Sequence, residues 1–268
     1  MNPATVSLED LRPSIASQFQ SELAMLRRAI ELFPESLWLE GSPNRSWHIA
    51  YHALFYLHFY LAPSDAEFIA WVILTAQRGH LPRGWFDIAL NLPEPQCLAF
   101  VERIATAHRQ SWWHVSQFII AEVEGKPSAA LCAMPAAGTI RAARSAIGEA
   151  AETCRLNASE LAAIFRRGAY TAGCWVQGAE GDWLIEHVAS LPLYRGRGLV
   201  QALIDRALAA GKASGFERAS ISFLIGNEAA QRCYAKAGFT FAEEKRHSDF
   251  EVLTNAAGFR RFVRNILS

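Results

Sequence analysis

The chain has 268 residues, of which 51% are hydrophobic and 19% are charged, enough apolar material for one large domain or two modest ones. Its 26 basic and 26 acidic residues give a formal net charge of zero, which argues against a protein that binds a nucleic-acid backbone. The five cysteines are scattered and form no Cys-x-x-Cys pair, which predicts reduced thiols and a cytoplasmic protein. We find no secretory signal, and the most apolar run, residues 47–62, is too short to predict a membrane span.

Two helices are predicted at the start of the chain. Apolar residues recur at steps of three or four over residues 14–33, and Pro34 ends this pattern. Residues 46–61 are apolar nearly all round, which indicates a helix buried on more than one side. In this second helix His48 and His52 are four residues apart and share a face. Two histidines make an incomplete metal site, so we interpret them as a buried pair and predict no metal.

The rest of the chain alternates helices and strands. Helices are predicted over about 65–77, 95–109, 141–168, 198–215 and 228–237, with Asn157 as an N-cap inside the alanine-rich segment 141–168. Strands are predicted over 117–123, 128–134, 183–191, 219–225 and 239–243, and Glu124-Gly125 is a hairpin turn between the first two. This order predicts a mixed α/β sheet covered by helices.

A glycine-rich turn follows the strand at 183–191. The segment Tyr194-Arg195-Gly196-Arg197-Gly198-Leu199-Val200 leads directly into an amphipathic helix. Glycines let the backbone turn tightly and approach a ligand closely, and the first turn of a helix presents unpaired N–H groups. A strand, a glycine turn and a helix in this order are typical of an anion site suited to a pyrophosphate, although a plain tight turn has the same pattern.

A second segment makes the pattern more specific. After the next strand come Asn227, Ala230 and Tyr234, and then Gly238-Phe239 leads into another strand. With the glycine-rich turn, this segment resembles the core of the GNAT N-acetyltransferases, most specifically over residues 183–243 and more weakly back to about residue 65. The resemblance implies an α+β fold with a mostly antiparallel twisted sheet that is splayed at the cofactor strand.

The resemblance also implies acetyl-CoA as the cosubstrate, with no metal. Backbone groups of the cofactor strand at Val188, Ala189 and Ser190 are expected to meet the pantetheine arm. The pyrophosphate is expected on the backbone of Arg195, Gly196, Arg197, Gly198, Leu199 and Val200. Asn227 and Ala230 are expected to contact the cofactor. Val200 departs from the family pattern, which has Gly or Ala there, and a branched side chain at that position could crowd the phosphates.

The chemistry needs a base, because an amine is mostly protonated at neutral pH and must be neutral to attack a thioester. We expect Glu186, on the cofactor strand, to act as this base; the alternative is a carboxylate that faces solvent or pairs with an arginine. Side chains alternate along a strand, so only one of Glu186 and His187 is expected to face the cleft. The Tyr234 hydroxyl is expected to protonate the leaving thiolate, unless it is a satisfied core tyrosine. No cysteine has an obvious base partner, so direct transfer is expected.

Three further segments bear on domain organisation and the acceptor. Residues 10–62 resemble two helices of a DinB-like four-helix bundle, so we expect a helical hairpin at 1–62, an acetyltransferase domain at 63–268, and a homodimer formed through the hairpin. The insert at 141–168 and the loop residues His80, Arg83 and Trp85 could cover or line the acceptor pocket. Trp112 and Trp113 are interpreted as core or interface residues.

The predicted function is transfer of an acetyl group to a primary amine of an unidentified small-molecule or peptide acceptor, without nucleic-acid or membrane partners. Two alternatives stay open. The first is a catalytically silent module that binds CoA or serves assembly, which the departure at Val200 would favour. The second is a DinB-like metal-dependent enzyme that uses His48 and His52.

Overall fold

The computed structural model describes residues 63–176 and 178–267, together with residue 28. The predicted helices at 14–33 and 46–61, the pair His48 and His52, and the expected hairpin at 1–62 lie outside these residues and stay predictions. Pro63–Ser268 forms one compact unit. No helix in the described part of the chain is long and apolar enough to cross a membrane.

Helices and strands alternate along the described chain. The helices are α1 (Pro63–Arg78), α2 (Trp85–Leu90), α3 (Glu94–Ala105), α4 (Thr139–Thr153), α5 (Ala158–Gly168), α6 (Leu199–Ala213), α7 (Glu228–Lys236) and α8 (Ser248–Thr254). The strands are β1 (Phe118–Val123), β2 (Lys126–Pro135), β3 (Trp183–Ser190), β4 (Arg218–Leu224), β5 (Thr240–Arg246) and β6 (Gly258–Asn265). The mixed α/β architecture is confirmed, and the helices and strands predicted for residues 65–243 occur in the predicted order, with α2 added between the first two predicted helices.

The strands form one six-stranded sheet in the order β1-β2-β3-β4-β6-β5. Every pairing in it is antiparallel except that of β3 with β4, which is parallel. β1 and β2 are joined by the predicted two-residue turn, where Glu124 and Gly125 both have positive φ, as the right-handed twist of a hairpin favours. The parallel pair lies at the centre of the sheet, and this position matters for the site described below.

A separate hydrophobic core covers each face of the sheet. On one face α1, α2, α3 and α4 pack around fully buried residues such as Ile69, Phe86 and Ile104, and we call this the first core. On the other face α6 packs on β2, β3 and β4 around Ile185, Ile204 and neighbours, with α7 beside it; we call this the second core. Helices on both faces bury the central strands, which explains their nearly continuous apolar sequences.

The insert predicted at 141–168 is two helices, α4 and α5. Asn157 caps α5 as predicted, because its side-chain oxygen accepts the Glu160 N–H at 3.0 Å and Glu160 returns a bond to the Asn157 N–H. α4 packs on α3, and α5 packs on α2, where the Trp85 indole donates to the Gly168 carbonyl at 2.9 Å. No described residue of the insert lines the cleft, so it covers a helical layer and not the acceptor site.

Three elements were not predicted. α2 begins at Trp85, directly after the loop that contains His80 and Arg83, so Trp85 belongs to a helix and not to that loop. α8 and β6 follow the last predicted strand. The edge strand β5 also runs further than predicted, to Arg246.

Candidate active site

A cleft opens where the two central strands separate. The parallel pairing of β3 with β4 ends at Ile185 and Ile221, and both strands continue beyond that point without pairing to each other. The residues that line the cleft include Glu186 to Ser190 on β3 and Ile221 to Leu224 on β4. Its volume is about 730 Å³, which suits a large cosubstrate. The splayed cofactor strand predicted from the sequence is confirmed.

An extra residue bends β3 at the mouth of this cleft. Cys132 of β2 lies opposite Glu186 and Ala130 lies opposite Ala189, so His187 and Val188 together oppose a single residue. His187 adopts a φ of 50°, a left-handed conformation that is rare outside glycine. A bulge of this kind breaks the alternation of side chains and increases the local twist. It lies just beyond the last pair between β3 and β4, where the backbone of Val188, Ala189 and Ser190 lines the cleft without pairing to β4.

Backbone N–H groups converge at the N-terminus of α6. Gly196 and Gly198 have φ of 76° and 82°, and Gly198 directly precedes the helix. The N–H groups from Gly196 through Gln201 donate to no acceptor in the described part of the chain, and the first bond is from Ala202 to the Gly198 carbonyl. Such a run of free donors at the positive end of a helix dipole fits a pyrophosphate. Arg195 precedes these donors and lines the cleft. Arg197 does not line it, and its guanidinium lies over the Tyr194 ring, 5.1 Å from the ring centroid.

Val200 does not project freely into this run of donors. Its side chain is half-buried and packs against the second core beside Leu199. The residue contributes its free backbone N–H to the cleft wall. The branched side chain therefore has an apolar packing partner in the second core.

Asn227 and Ala230 lie on the opposite wall, where α7 begins. The Asn227 side-chain oxygen accepts the Ala230 N–H at 3.1 Å and so caps the helix. The amide NH₂ of Asn227 donates to no described residue. Both residues line the cleft, as the sequence predicts for a cofactor contact, and the free NH₂ is a donor available to an amide carbonyl.

Glu186 lines the cleft as an unpartnered carboxyl group. It is half-buried and makes no hydrogen bond or ion pair with any other described residue, so an arginine partner does not account for it. Burial raises its pKa from 4.5 to about 8. An unpaired carboxyl group in a cleft with such a pKa has the properties that a general base needs.

His187 lies beside it and also lines the cleft, which corrects the expectation that only one of the two can do so. Its ring stacks on Phe118 at 6.3 Å between ring centroids and lies 6.4 Å from Trp113, both part of the first core. Burial lowers the pKa of His187 to about 3, so the imidazole is neutral at physiological pH. It adds no positive charge beside Glu186.

Tyr234 reaches the cleft from the other face of the sheet. It belongs to the second core, where its ring packs edge-on against Phe223 at 5.5 Å. Its hydroxyl has no hydrogen-bond partner among the described residues, although the ring is buried. Burial, with smaller contributions from Cys233 and from Glu186, raises its pKa well above the usual 10. The hydroxyl therefore stays protonated and is free to donate to a ligand in the cleft.

Comparison with known proteins agrees with this arrangement. Residues 86–239, more than half of the chain, match the model of the acetyltransferase (GNAT) family. The chain belongs to the GNAT acetyltransferase family. No curated protein matches the sequence.

Solved structures show the same GNAT fold. An N-acetyltransferase from Staphylococcus aureus Mu50 superposes with a TM-score of 0.55 at 19% identity, over 75% of this chain and 96% of that one. A second structure described as an acetyltransferase has a TM-score of 0.53 at 16% identity, over 76% of this chain and 96% of that one. At identities this low, the structural similarity shows the fold alone. Acetyl transfer is the chemistry of the family as a whole.

Several residues of this GNAT cleft were not predicted from the sequence, among them Gln77, Trp175, Gln201, Cys233, Lys236 and Phe259. Trp175 follows the insert in a segment without regular structure, and Phe259 lies on the unpredicted strand β6, so neither had a periodic pattern to mark it. Of the loop residues expected near the acceptor, His80 lines the cleft. Arg83 instead donates to the Asp87 carbonyl at 2.9 Å, and Trp85 packs on Gly168.

The described part of the GNAT domain contains no group of three or more histidine, cysteine or acidic side chains placed to hold a metal ion. Trp113 is buried in the first core and Trp112 packs against it, so the interpretation of these residues as core is confirmed. The cysteines Cys97, Cys132, Cys154, Cys174 and Cys233 are all free thiols.

Proposed function

We propose that the protein transfers an acetyl group from acetyl-CoA to the nitrogen of a primary amine. One observation carries this proposal: the free N–H groups from Gly196 through Gln201 lie at the end of a gap between strands that leads to Glu186 and Tyr234. Those donors fit a pyrophosphate, and the exposed edge of β3 at Val188, Ala189 and Ser190 fits the amide groups of a pantetheine arm. Acetyl-CoA supplies a thioester whose carbonyl carbon accepts the amine.

Glu186 is proposed as the base. An alkylamine has a pKa near that of lysine, about 10.4, and arrives protonated. A carboxyl group with a pKa of about 8 is a stronger base than an ordinary glutamate, yet it is still ionised in a useful fraction of molecules near neutral pH. Neutral His187 beside it leaves the proton affinity of Glu186 high, because no cation of the described residues stabilises the carboxylate.

Tyr234 is proposed to assist the departing sulfur. Its raised pKa makes complete proton transfer to a thiolate unfavourable, since a thiolate is the weaker base. The main contribution expected of the hydroxyl is therefore a hydrogen bond to the sulfur as negative charge develops there. This refines the role of acid that the sequence indicated.

Direct transfer is preferred to a route through an acyl-cysteine. Cys233 lines the cleft, but burial raises the pKa of its thiol, so it stays protonated and poorly nucleophilic. Cys132, opposite Glu186 on β2, is fully buried and its pKa is raised further. Neither thiol has a base within hydrogen-bonding distance among the described residues.

Thermal stability with and without acetyl-CoA tests the proposed binding. A ligand that binds only the native state at a hundred times its Kd stabilises it by about 2.7 kcal/mol, which is easily measured. A turnover screen that follows free CoA across classes of amine then tests transfer. If a large excess of acetyl-CoA does not raise the melting temperature, the alternative of a catalytically silent module is favoured. The packing of Val200 against the second core does not support that alternative.

The remaining expectations concern residues 1–62 and the cellular setting. We propose that this segment forms a domain of its own and a homodimer interface, which light scattering at micromolar concentration tests. Metal analysis of the purified protein tests the alternative of a metal site at His48 and His52.

The free thiols of all five cysteines favour a reducing compartment such as the cytoplasm.

A further inference from the structure

The cleft has two ends of different character. The end beside α6 and α7 holds the free N–H groups together with Arg195 and Lys236. The other lining residues come from α1, from the loop after it, from the segment before β3 and from β6: Thr75, Ala76, Gln77, His80, Trp175 and Phe259. In this set His80 also lies close to Gly226, just before α7. We call this second set the acceptor end, because none of its residues belongs to the glycine-rich turn or to α6, which carry the free N–H groups.

Aromatic side chains form one wall of the acceptor end, and other rings hold them in place. The ring centroids of Trp175 and Phe259 are 5.5 Å apart with planes at 63°, an edge-on pair. Trp112 lies behind Trp175 at 6.0 Å and packs against the first core. Phe259 is in turn backed by Phe250 at 5.2 Å. The wall is apolar, and both Trp175 and Phe259 are half-buried.

The charges at the acceptor end are as informative as the rings. Glu186 is the only carboxylate among the described residues that line the cleft. The lysine and arginine that line it, Lys236 and Arg195, stand at the pyrophosphate end. Among the described residues of the acceptor end, a second ammonium group on the acceptor would find no carboxylate, and a carboxylate on the acceptor would find no lysine or arginine, only the imidazole of His80. Burying an unpaired charge is costly, so both kinds of acceptor are disfavoured.

We propose that the acceptor is a primary monoamine that carries an aromatic ring and no other charge. This inference rests on the acetyl transfer proposed above and adds the class of substrate to it. Glu186 takes the single ammonium group and removes its proton, while Trp175 and Phe259 bind the ring. The single carboxylate matches the single cation, and the aromatic wall matches the uncharged body.

Three matched amines test the proposal with the full-length protein and acetyl-CoA. 2-Phenylethylamine has the proposed chemistry, phenylalanine adds a carboxylate to it, and 1,4-diaminobutane replaces the ring with a second ammonium group. We expect kcat/KM for 2-phenylethylamine to exceed that for each of the others by about a hundredfold or more, the size of discrimination that unpaired buried groups produce. Equal or better turnover of phenylalanine or 1,4-diaminobutane would overturn the proposal.

A binding measurement separates this inference from the proposed function. The protein saturated with CoA is heated with each amine, and only 2-phenylethylamine is expected to raise the melting temperature further. Failure of CoA itself to stabilise the protein counts against the proposed function. Stabilisation by CoA with no added effect of 2-phenylethylamine, or with a larger effect of either competitor, counts against the acceptor class alone.

Two variants assign the preference to the acceptor end. Trp175→Leu is expected to raise KM for 2-phenylethylamine about tenfold with a smaller change in kcat. Phe241→Leu is the matched control and should change neither KM nor kcat, because Phe241 is 58% exposed and lies outside the cleft.

Gln77→Glu tests the charge argument, because it places a second carboxylate at the acceptor end with a side chain of nearly the same shape. It is expected to raise kcat/KM for 1,4-diaminobutane about tenfold, and no gain there would contradict the charge argument.

Discussion

Glu186 and His187 are neighbours in the chain, yet both lie on the same face of the sheet. Glu186 is opposite Cys132, which pairs in turn with Phe118, and cross-strand partners share a face. The His187 ring stacks on that same Phe118. The bulge at His187, with its φ of 50°, removes the alternation that an unbroken strand imposes. The carboxyl group and the neutral imidazole therefore border the reacting end of the cleft together.

Replacement of Glu186 by glutamine is expected to remove the base and leave the shape. We expect kcat to fall about a hundredfold or more, as for loss of a positioned base. In the wild type, activity should rise with pH through about 8, because the carboxyl group must be ionised to accept a proton and its pKa is about 8. Steady-state kinetics from pH 6 to 9.5 measure both effects, and the rise through 8 should be absent from the variant.

His187 supplies the control for this assignment. His187→Asn removes the imidazole and keeps a residue that tolerates the left-handed backbone conformation. Its kcat should fall less than that of Glu186→Gln, and the rise through pH 8 should remain. If activity still rises through pH 8 in Glu186→Gln but no longer does so in His187→Asn, the histidine and not the glutamate acts as the base.

Glu186 should also make the stability of the protein depend on pH. The pKa of about 8 in the native state lies above the 4.5 of the unfolded chain, so between these values the native state binds more protons. The stability that goes with the protonated carboxyl group is fully present below pH 4.5 and is lost as the pH rises through 8. In urea unfolding, the free energy of unfolding of Glu186→Gln should increase relative to that of the wild type as the pH rises from 5 to 8. A difference between the two free energies that does not change with pH would contradict the raised pKa.

Tyr234→Phe isolates the hydroxyl that faces the cleft. The ring packs on Phe223 and the hydroxyl bonds to no described residue, so stability should be unaffected. Loss of a hydrogen bond to a charged group costs about 1.5–3 kcal/mol, which predicts a fall in kcat of about tenfold to a hundredfold. Tyr170→Phe is the control, since that tyrosine is also shielded but lies outside the cleft. A change in the KM for acetyl-CoA with an unchanged kcat would contradict the proposed role.

The sequence predicted the cofactor side of this site much better than the acceptor side. Gly196 and Gly198, Asn227 and Tyr234 occur at fixed spacings around regular elements, because a pyrophosphate and a pantetheine arm demand one backbone geometry. Trp175 and Phe259 come together only through the fold, from a segment without regular structure and from the strand β6. The bulge at His187 was hidden as well, since it depends on the pairing of β3 with β2 and not on a local sequence signal.

Val200 tests whether the departure from the family pattern weakens the site. The side chain is half-buried against the second core, so Val200→Ala removes apolar contacts and should lower the free energy of unfolding by about 1 kcal/mol. The KM for acetyl-CoA should not change, because the residue contributes its backbone N–H. Chemical denaturation and initial rates give the two quantities. A lower KM in the variant would show that valine crowds the phosphates.

Gly198→Ala tests the free N–H groups through backbone conformation alone. Gly198 has a φ of 82°, and an added Cβ would meet no atom within 4 Å, so the change introduces strain without a clash. A non-glycine residue in this conformation costs about 1–2 kcal/mol, and the loop is expected to relax and move the donors that precede α6. A displacement of this kind should raise the KM for acetyl-CoA about tenfold to a hundredfold.

Gly215, just beyond the other end of α6, is the matched control for that variant. Its φ is 84°, and there too an added Cβ would meet nothing within 4 Å. Gly215→Ala should therefore lose as much stability as Gly198→Ala, while the KM for acetyl-CoA stays that of the wild type, because Gly215 does not line the cleft. Equal KM values in the two variants would mean that the N-terminus of α6 does not hold the pyrophosphate, whatever the effect of the substitutions on folding.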